Sequence, residues 1–397
     1  MTLLVKPISA CNLGCEYCYE NSQRTVGNFT GRNDYDLGAI EARIAQQFAR
    51  TGQAPVLHGG EITMMPKRDL FRLLDYCHTL CGRTALQTNG LHIDAEHLAV
   101  FRRLETTISV SIDGPGALNH ARWAGSDAAT TRATARIQNN FEQLLDAGIP
   151  VGLIVIITRL HLVDGAIAQL QSWLDALVAR GLSGGRFNLV EADFPELKEK
   201  YELTAMEAAT FYQTMADWAL QHPTTHWGPF CEIAENLMGL HPNNCIYVPC
   251  NIYRTAGVVE ILGTGELGNC AKIAHDGIPH LRDEGSPSHG RAQVLSTTPH
   301  AYGGCKGCKY WSVCHGQCPS EAIDRDWRNK SRYCEAWYAL YEHIAMGLRK
   351  ASPEIQLWTE GGQPRVPERG IPWSTRAFSV QPMMQDARPL WGMDLFN

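Results

Sequence analysis

Short apolar, β-branched runs alternate with longer amphipathic stretches over the first half of the chain. The runs LLVKPI, APVLH, TALQ, TTISVSI, VGLIVIIT and GRFNLV, starting at Leu3, Ala54, Thr84, Thr106, Val151 and Gly185, have the length and bulk of buried strands. Between them apolar residues return at helical spacing. Ile137, Phe141, Leu144 and Leu145 share one face, Gly148 supplies a stop, and Pro150 precedes the next strand. In DLFRLLDYCHTLCGR, Leu70, Leu73, Leu74, Cys77, Leu80 and Cys81 trace one stripe, so both cysteines are expected as buried apolar thiols. Right-handed crossovers then make the sheet parallel. The pattern predicts an α/β fold, a partial (β/α)6 barrel over residues 1–195.

From about residue 200 the alternation stops. One helix, TAMEAATFYQTMADWALQ, dominates an expected helical bridge over 196–240. A second domain, 241–345, lies in a stretch where Gly, Pro and Cys prevail, and metal rather than apolar core is expected to organise it. After CEAWYALYEHIAMGLRK, residues 346–397 form a tail with isolated Trp358, Trp373 and Trp391 and no periodicity. It is expected as a surface tail or as a cover over the barrel mouth.

Charge narrows the field little. The 397 residues carry 35 Lys and Arg against 41 Asp and Glu, a formal charge of −6, without a long like-charge run. Nothing nominates a nucleic acid or an anionic membrane as partner. The opening MTLLVKPISACNL is too short an apolar run for a signal peptide, and no later run approaches the ~20 apolar residues of a membrane span. A cytoplasmic protein is expected. There, 14 cysteines argue for thiolates bound to metal, because disulfides rarely persist in the cytosol.

Spacing then selects the metal. Cys11, Cys15 and Cys18 form CxxxCxxC immediately after the first strand, at the end of a parallel barrel where reactive groups gather. A structural zinc site closes with four ligands, whereas three thiolates on a cubic iron–sulfur cluster leave one iron open. The second strand ends in HGGEI, where two glycines permit close backbone approach and Glu61 could accept hydrogen bonds from an ammonium group. QTNG follows the third strand and VSIDGP the fourth. A zinc knuckle or buried thiols would be the alternative for the three cysteines taken alone.

In this order, CNLGCEYC, GGE, TNG and SIDGP resemble the radical SAM family, whose open cluster iron binds the amino and carboxylate groups of S-adenosyl-L-methionine (SAM). The resemblance implies that Gly59, Gly60 and Glu61 hold the SAM amino group, that Ser111 and Arg122 serve its ribose and carboxylate end, and that backbone near Tyr17 meets the adenine. His58 and Asn89 would line the same pocket. Two departures stand out: GGEI replaces the more usual GGEP, and Arg122 lies in LNHARW rather than in an HDxxR-like string.

Cys250, Gly265 with Cys270, Cys305 with Cys308, then Cys314, Cys318 and Cys334 are similar to the SPASM extension. That likeness implies two auxiliary 4Fe–4S clusters with interleaved ligands. Cys305, Cys308, Cys314 and Cys334 would hold one; Cys250, Cys270 and Cys318 would hold the other, with Cys245 as its natural fourth ligand. The implied cofactors are SAM and three 4Fe–4S clusters; two structural zinc sites are the alternative for this region.

Members with this extension mostly modify peptides. The implied reaction is an oxidative intramolecular cross-link, carbon–carbon or thioether, in a ribosomally made precursor peptide, driven by a 5′-deoxyadenosyl radical. Formylglycine formation of the sulfatase-maturase type would need a carboxylate base. The family places an Asp directly after the second cysteine of the nearer cluster, and here Ala271 stands there, so Asp276 or another carboxylate would have to reach over. Peptide epimerisation is a further alternative. The implied partners are the precursor, a flavodoxin or ferredoxin-type reductant and, where the barrel edge or bridge does not grip the leader, a separate leader-recognition protein. No catalytic base is assigned from sequence.

Overall fold

The computed structural model describes residues 2–21, 31, 33–240, 245, 250–255, 257–273, 281–282, 285, 290–360 and 372–374. Strands β1 (Thr2–Lys6), β2 (Pro55–Leu57), β3 (Ala85–Thr88), β4 (Thr107–Ser111), β5 (Val151–Ile157) and β6 (Gly184–Leu189) fall on the six runs read from the sequence. Helices α1 (Leu37–Thr51), α2 (Lys67–Cys81), α3 (Ala95–Arg103), α4 (Asp127–Asp146) and α5 (Ala166–Ala179) connect them. These strands pair in parallel in sequential order. The fold is thus mixed α/β around a parallel sheet.

Local chemistry sets the helix ends. Asp36 caps α1 by accepting from the Ala39 amide at 3.0 Å, and Gly52 closes it at a φ of 65° that a side chain would disfavour. Along α4, Ile137, Phe141, Leu144 and Leu145 are buried, as the periodicity requires. On α2, Cys77 is buried and Cys81 half-buried.

The sheet is wider than the sequence suggested, with nine strands among the described residues in the order β7-β6-β5-β4-β3-β2-β1-β8-β9. After α6 (Pro195–Tyr201) and α7 (Ala205–Leu220), β7 (His226–Gly228) extends one edge. After α8 (Phe230–Leu237), β8 (Val258–Leu262) lies parallel to β1, and β9 (Leu267–Gly268) folds back antiparallel to it. The cysteine-rich stretch is therefore held by sheet and core as well as by any metal, correcting the expectation from sequence. Every residue of α8 is buried, and Tyr310 and Val313 join the main core. VVEIL gives a weak strand signal because the run is short and carries a glutamate in its middle.

The two faces of the sheet differ in chemistry. Leu3, Val5, Leu57, Leu86, Ile108, Val110, Leu153, Val155 and Phe187 belong to one face, each at most 1% exposed. The registers place Gln87, Ser109, Ser111, Ile154, Arg186 and Asn188 on the other face, half-buried, together with the fully buried Lys6 and Glu260. Period-two alternation thus gives an apolar face for packing and a polar face for chemistry.

Helices α9 (Arg291–Thr297), α10 (Trp311–Cys314) and α11 (Cys334–Ala351) complete the fold, and α11 packs on α7 and α8. Trp373, expected on a surface tail or over the barrel mouth, is instead buried: its indole donates to the Ala216 carbonyl on α7 at 2.8 Å and its ring packs beside Gly347 on α11. Trp358 is half-buried against the same core, whereas Trp391 and Asp276 lie outside the described residues. Trp373→Ala is expected to cost about 3–5 kcal/mol, read as a lower thermal midpoint. Among the described residues no helix is long and apolar enough to cross a membrane.

Candidate active site

The loops after β1, β2, β3 and β4 converge at one end of the sheet. The Gly60 amide donates to the Ile8 carbonyl at 2.9 Å and the Glu61 amide to the Ala10 carbonyl at 2.8 Å, so the GGE loop lies against the segment entering the first cysteine. A Cβ on Gly60 would stand 2.5 Å from the Ala10 carbonyl oxygen, and one on Gly59 2.6 Å from that of Ile8. Glycine is required here by close approach, not by turn geometry.

Glu61, expected to take an ammonium group, is engaged by its own surroundings. Its Oε1 accepts from the Thr63 amide at 3.0 Å, the Thr63 hydroxyl at 2.7 Å and the Thr88 hydroxyl at 2.6 Å, and its Oε2 accepts from the Asn89 amide at 2.6 Å. The carboxylate ties the β2 and β3 loops together. Asn89 reaches onward: its amide nitrogen donates to Asn12 Oδ1 at 2.7 Å and lies 3.9 Å from the Cys11 sulfur.

Beneath the cysteine loop is a buried charge network that the sequence did not single out. Asp113, from SIDGP, is fully buried and accepts from Arg122 Nη2 at 2.8 Å, from the Ile156 amide at 2.9 Å and from the Tyr17 hydroxyl. Its own carbonyl meets His161 Nε2 at 2.7 Å. Arg122 also lies 5.8 Å from the centre of the Tyr17 ring, and its Nε has no hydrogen-bond partner among the described residues. The only sequence signal for Asp113 was its place inside a strand-end motif. Ser111 lies on the polar face at the end of β4.

Cys11, Cys15 and Cys18 are half-buried, and Cys15 neighbours both of the others. Burial pushes the Cys15 thiol up to about 12, Arg122 opposes it, and the thiols of Cys18 and Cys11 add to the rise. A metal would have to displace that proton on binding. Tyr19, in the same loop, neighbours both Cys18 and Cys270, and burial raises its phenol far above the usual range.

The remaining thiols fall into two neighbourhoods. Cys305 adjoins Cys334 and Cys308, and Cys314 adjoins Cys334 and Cys305; burial pushes both Cys305 and Cys314 up to about 12. Cys250 adjoins Cys245, while Cys270 and Cys318 each adjoin Cys245. Cys231 stays apart, buried, accepting from the Trp227 amide at 3.1 Å. Among the described residues no three His, Cys, Asp or Glu side chains converge on a single metal ion. Thiolates of a polynuclear cluster sit on separate irons and need no common point, unlike the four ligands of a tetrahedral zinc. Sets of thiol donors are of a kind that iron–sulfur clusters take.

Between the first loop and the Cys270 neighbourhood lies a second buried polar group. Lys6 Nζ donates to Glu20 at 2.6 and 2.5 Å. Glu260, on β8 beside β1, accepts from the Ala271 amide at 3.1 Å through Oε1, and its Oε2 has no partner among the described residues. Burial raises its carboxyl to about 7, Lys6 opposing and Glu20 reinforcing. Burial and Lys6 lower His58 to about 3, and its Nε2 is likewise unpartnered among the described residues. Ion pairs fasten this half to the barrel and the bridge, Lys272 pairing with Glu191 and Arg332 with Glu202 at 2.7 Å, while Lys200 on α6 pairs with Glu16 of the cysteine loop at 2.8 Å.

Residues 5–170 match the Radical SAM superfamily, and this part of the chain is a radical SAM domain. The chain is similar to the serine-type anaerobic sulfatase-maturating enzyme of Bacteroides thetaiotaomicron, 22% identical over 381 residues that cover 86% of this chain and 89% of that one. Its fold is shared with anSMEcpe, solved with bound AdoMet and Cp18Cys peptide: TM-score 0.67, 17% identity, 89% of this chain and 99% of that chain. It is also shared with Streptococcus suis SuiB bound to precursor peptide SuiA: TM-score 0.56, 17% identity, 84% of this chain and 75% of that chain.

Proposed function

We propose that this protein is a radical SAM enzyme that oxidises a side chain within a ribosomally made peptide, forming an intramolecular cross-link. The observation that carries the reading is the placement of Cys11, Cys15 and Cys18 at the end of a half-exposed polar sheet face, with a second group of thiols reached past Tyr19. SAM on a cluster held by Cys11, Cys15 and Cys18 would supply a 5′-deoxyadenosyl radical able to remove a substrate hydrogen, and the later cysteines would hold auxiliary clusters able to take up the electron released by the oxidation.

The chain's own residues would do the rest. Backbone of the GGE loop, held rigid by Glu61, Thr63 and Thr88, would meet the SAM ammonium, so Glu61 acts through the loop rather than by contact. Arg122 and Tyr17, locked by Asp113, would hold a buried ion pair beside Cys15, with the guanidinium favouring its thiolate. Gln87, Ser109, Arg186 and Asn188 would line the peptide's path along the polar face. Gly60→Ala is expected to push the loop off the cysteine segment. At least roughly tenfold less 5′-deoxyadenosine should form, a factor that a misplacement worth about 1.4 kcal/mol produces.

A second reading, oxidation of a Ser or Cys side chain to formylglycine, is favoured by one specific feature. Ala271 lacks a carboxylate, yet Glu260 holds one against the Ala271 amide with an oxygen to spare. Similarity to a serine-type maturase along most of both chains supports the same reading. The deciding experiment is mass spectrometry of candidate peptides after anaerobic incubation with enzyme, SAM and a flavodoxin or ferredoxin-type reductant. Loss of two hydrogens with fragmentation blocked between two residues supports the cross-link. An aldehyde trapped by a hydrazide supports formylglycine. Unchanged mass with deuterium taken up from solvent indicates epimerisation and sinks both oxidative readings.

A further inference from the structure

One buried cation belongs to none of the groups described so far. Arg291, the first residue of α9, is 2% exposed and has no carboxylate partner among the described residues. Among the described residues, backbone carbonyls alone hold its guanidinium. Nε donates to Trp327 at 2.6 Å, Nη1 to Gln317 at 3.0 Å and His315 at 3.4 Å, and Nη2 to Asn329 at 3.1 Å and Gly316 at 3.4 Å.

Three of those acceptors, 315 to 317, are the whole link between Cys314 and Cys318. All three residues adopt left-handed backbone, with φ of 52° at His315, 74° at Gly316 and 61° at Gln317. This run turns consecutive carbonyls toward a single cation. The link joins the two thiol neighbourhoods, since Cys314 belongs to one and Cys318 to the other. Arg291 also lies within electrostatic reach of thiols from both neighbourhoods, Cys318 and Cys250 of one and Cys305 and Cys314 of the other.

A guanidinium keeps its charge in proteins, and a buried charge is costly unless opposite charge compensates it. Carbonyl oxygens solvate this one but carry no net charge. Among the described residues, compensating anions within its reach are these four thiols, once metal has made them thiolates. An electron added to a cluster nearby gains from the fixed positive charge, so the reduced state is favoured.

We infer that Arg291 is a fixed positive charge built between two auxiliary cluster sites, raising the reduction potential of both so that they serve as electron acceptors. This rests on reading the two thiol groups as cluster sites. The test needs neither peptide nor turnover, so it can fail while the proposed reaction stands.

The experiment is a potentiometric titration of the anaerobically reconstituted full chain, followed by electron paramagnetic resonance, with iron content measured alongside. Arg291→Gln should keep its iron and shift both auxiliary signals to more negative midpoints while leaving the N-terminal cluster where it was. Full iron with unmoved midpoints overturns the inference. If Arg291→Gln does not retain iron, Arg291→Lys decides instead, because it keeps the charge but not the five-carbonyl grip. A loaded Lys variant with the parent's midpoints supports the role of charge. Loss of iron there too, or displaced midpoints, makes Arg291 a clamp on the 315–317 link and overturns the inference. A parent protein without auxiliary iron removes the reading beneath it, and the inference falls with it.

Discussion

Asp113→Ala is expected to be among the most damaging single substitutions in this chain. It leaves the Arg122 guanidinium, 7% exposed, buried without its counter-ion, and removes acceptors from the Tyr17 hydroxyl and the Ile156 amide. Breaking one partner of a buried ion pair costs about 3–5 kcal/mol, and orphaned buried donors add about 1–3 kcal/mol each. Against a total stability of roughly 5–15 kcal/mol, most of the protein should be unfolded or lost in expression. Asp113→Asn keeps an acceptor but not the charge and should be intermediate. Thermal unfolding of the three proteins orders them; an Asp113→Ala variant as stable as the parent would mean that this network does not organise the cysteine loop.

Cys15→Ala should abolish reductive SAM cleavage, because two thiolates cannot hold a cubic cluster with one iron kept open. Iron should fall from about 12 atoms per chain toward about 8, the amount carried by two remaining 4Fe–4S clusters. Cys308→Ala sits in the other half of the molecule and should spare part of the cleavage while impairing product formation. The contrast between the variants is the informative result. Equal loss of 5′-deoxyadenosine in both would tie SAM cleavage to the auxiliary sites and remove the separation of roles proposed above. Full SAM cleavage by Cys15→Ala would sink the radical SAM reading outright.

Much of the barrel was legible because its signals are local. The six runs became β1 to β6, and the stripe through Ile137, Phe141, Leu144 and Leu145 became the buried face of α4. The candidate pocket was legible only in part. Gly59 and Gly60 make the close approach that glycine permits, but Glu61 braces its own loop, and nothing in SIDGP distinguishes Asp113 as the centre of a buried network. Trp373 looks in sequence like one isolated aromatic among several, since no neighbour along the chain hints that Ala216 and Gly347 wait for it.

Sequence alone determined the alternation of strand and helix, the CxxxCxxC motif after the first strand and the spacing of the later cysteines. Those features are written in periods of two and 3.6 residues or in short fixed intervals, which neighbouring residues dictate. Only the tertiary structure decided that β8 lies beside β1 and brings Glu260 to Lys6, that Arg122 is neutralised by Asp113, and that Arg291 sits between two groups of thiols. A lone buried charge has no periodicity. Its partner is chosen by how distant segments pack and by the cost of leaving charge unpaired in a low-dielectric interior.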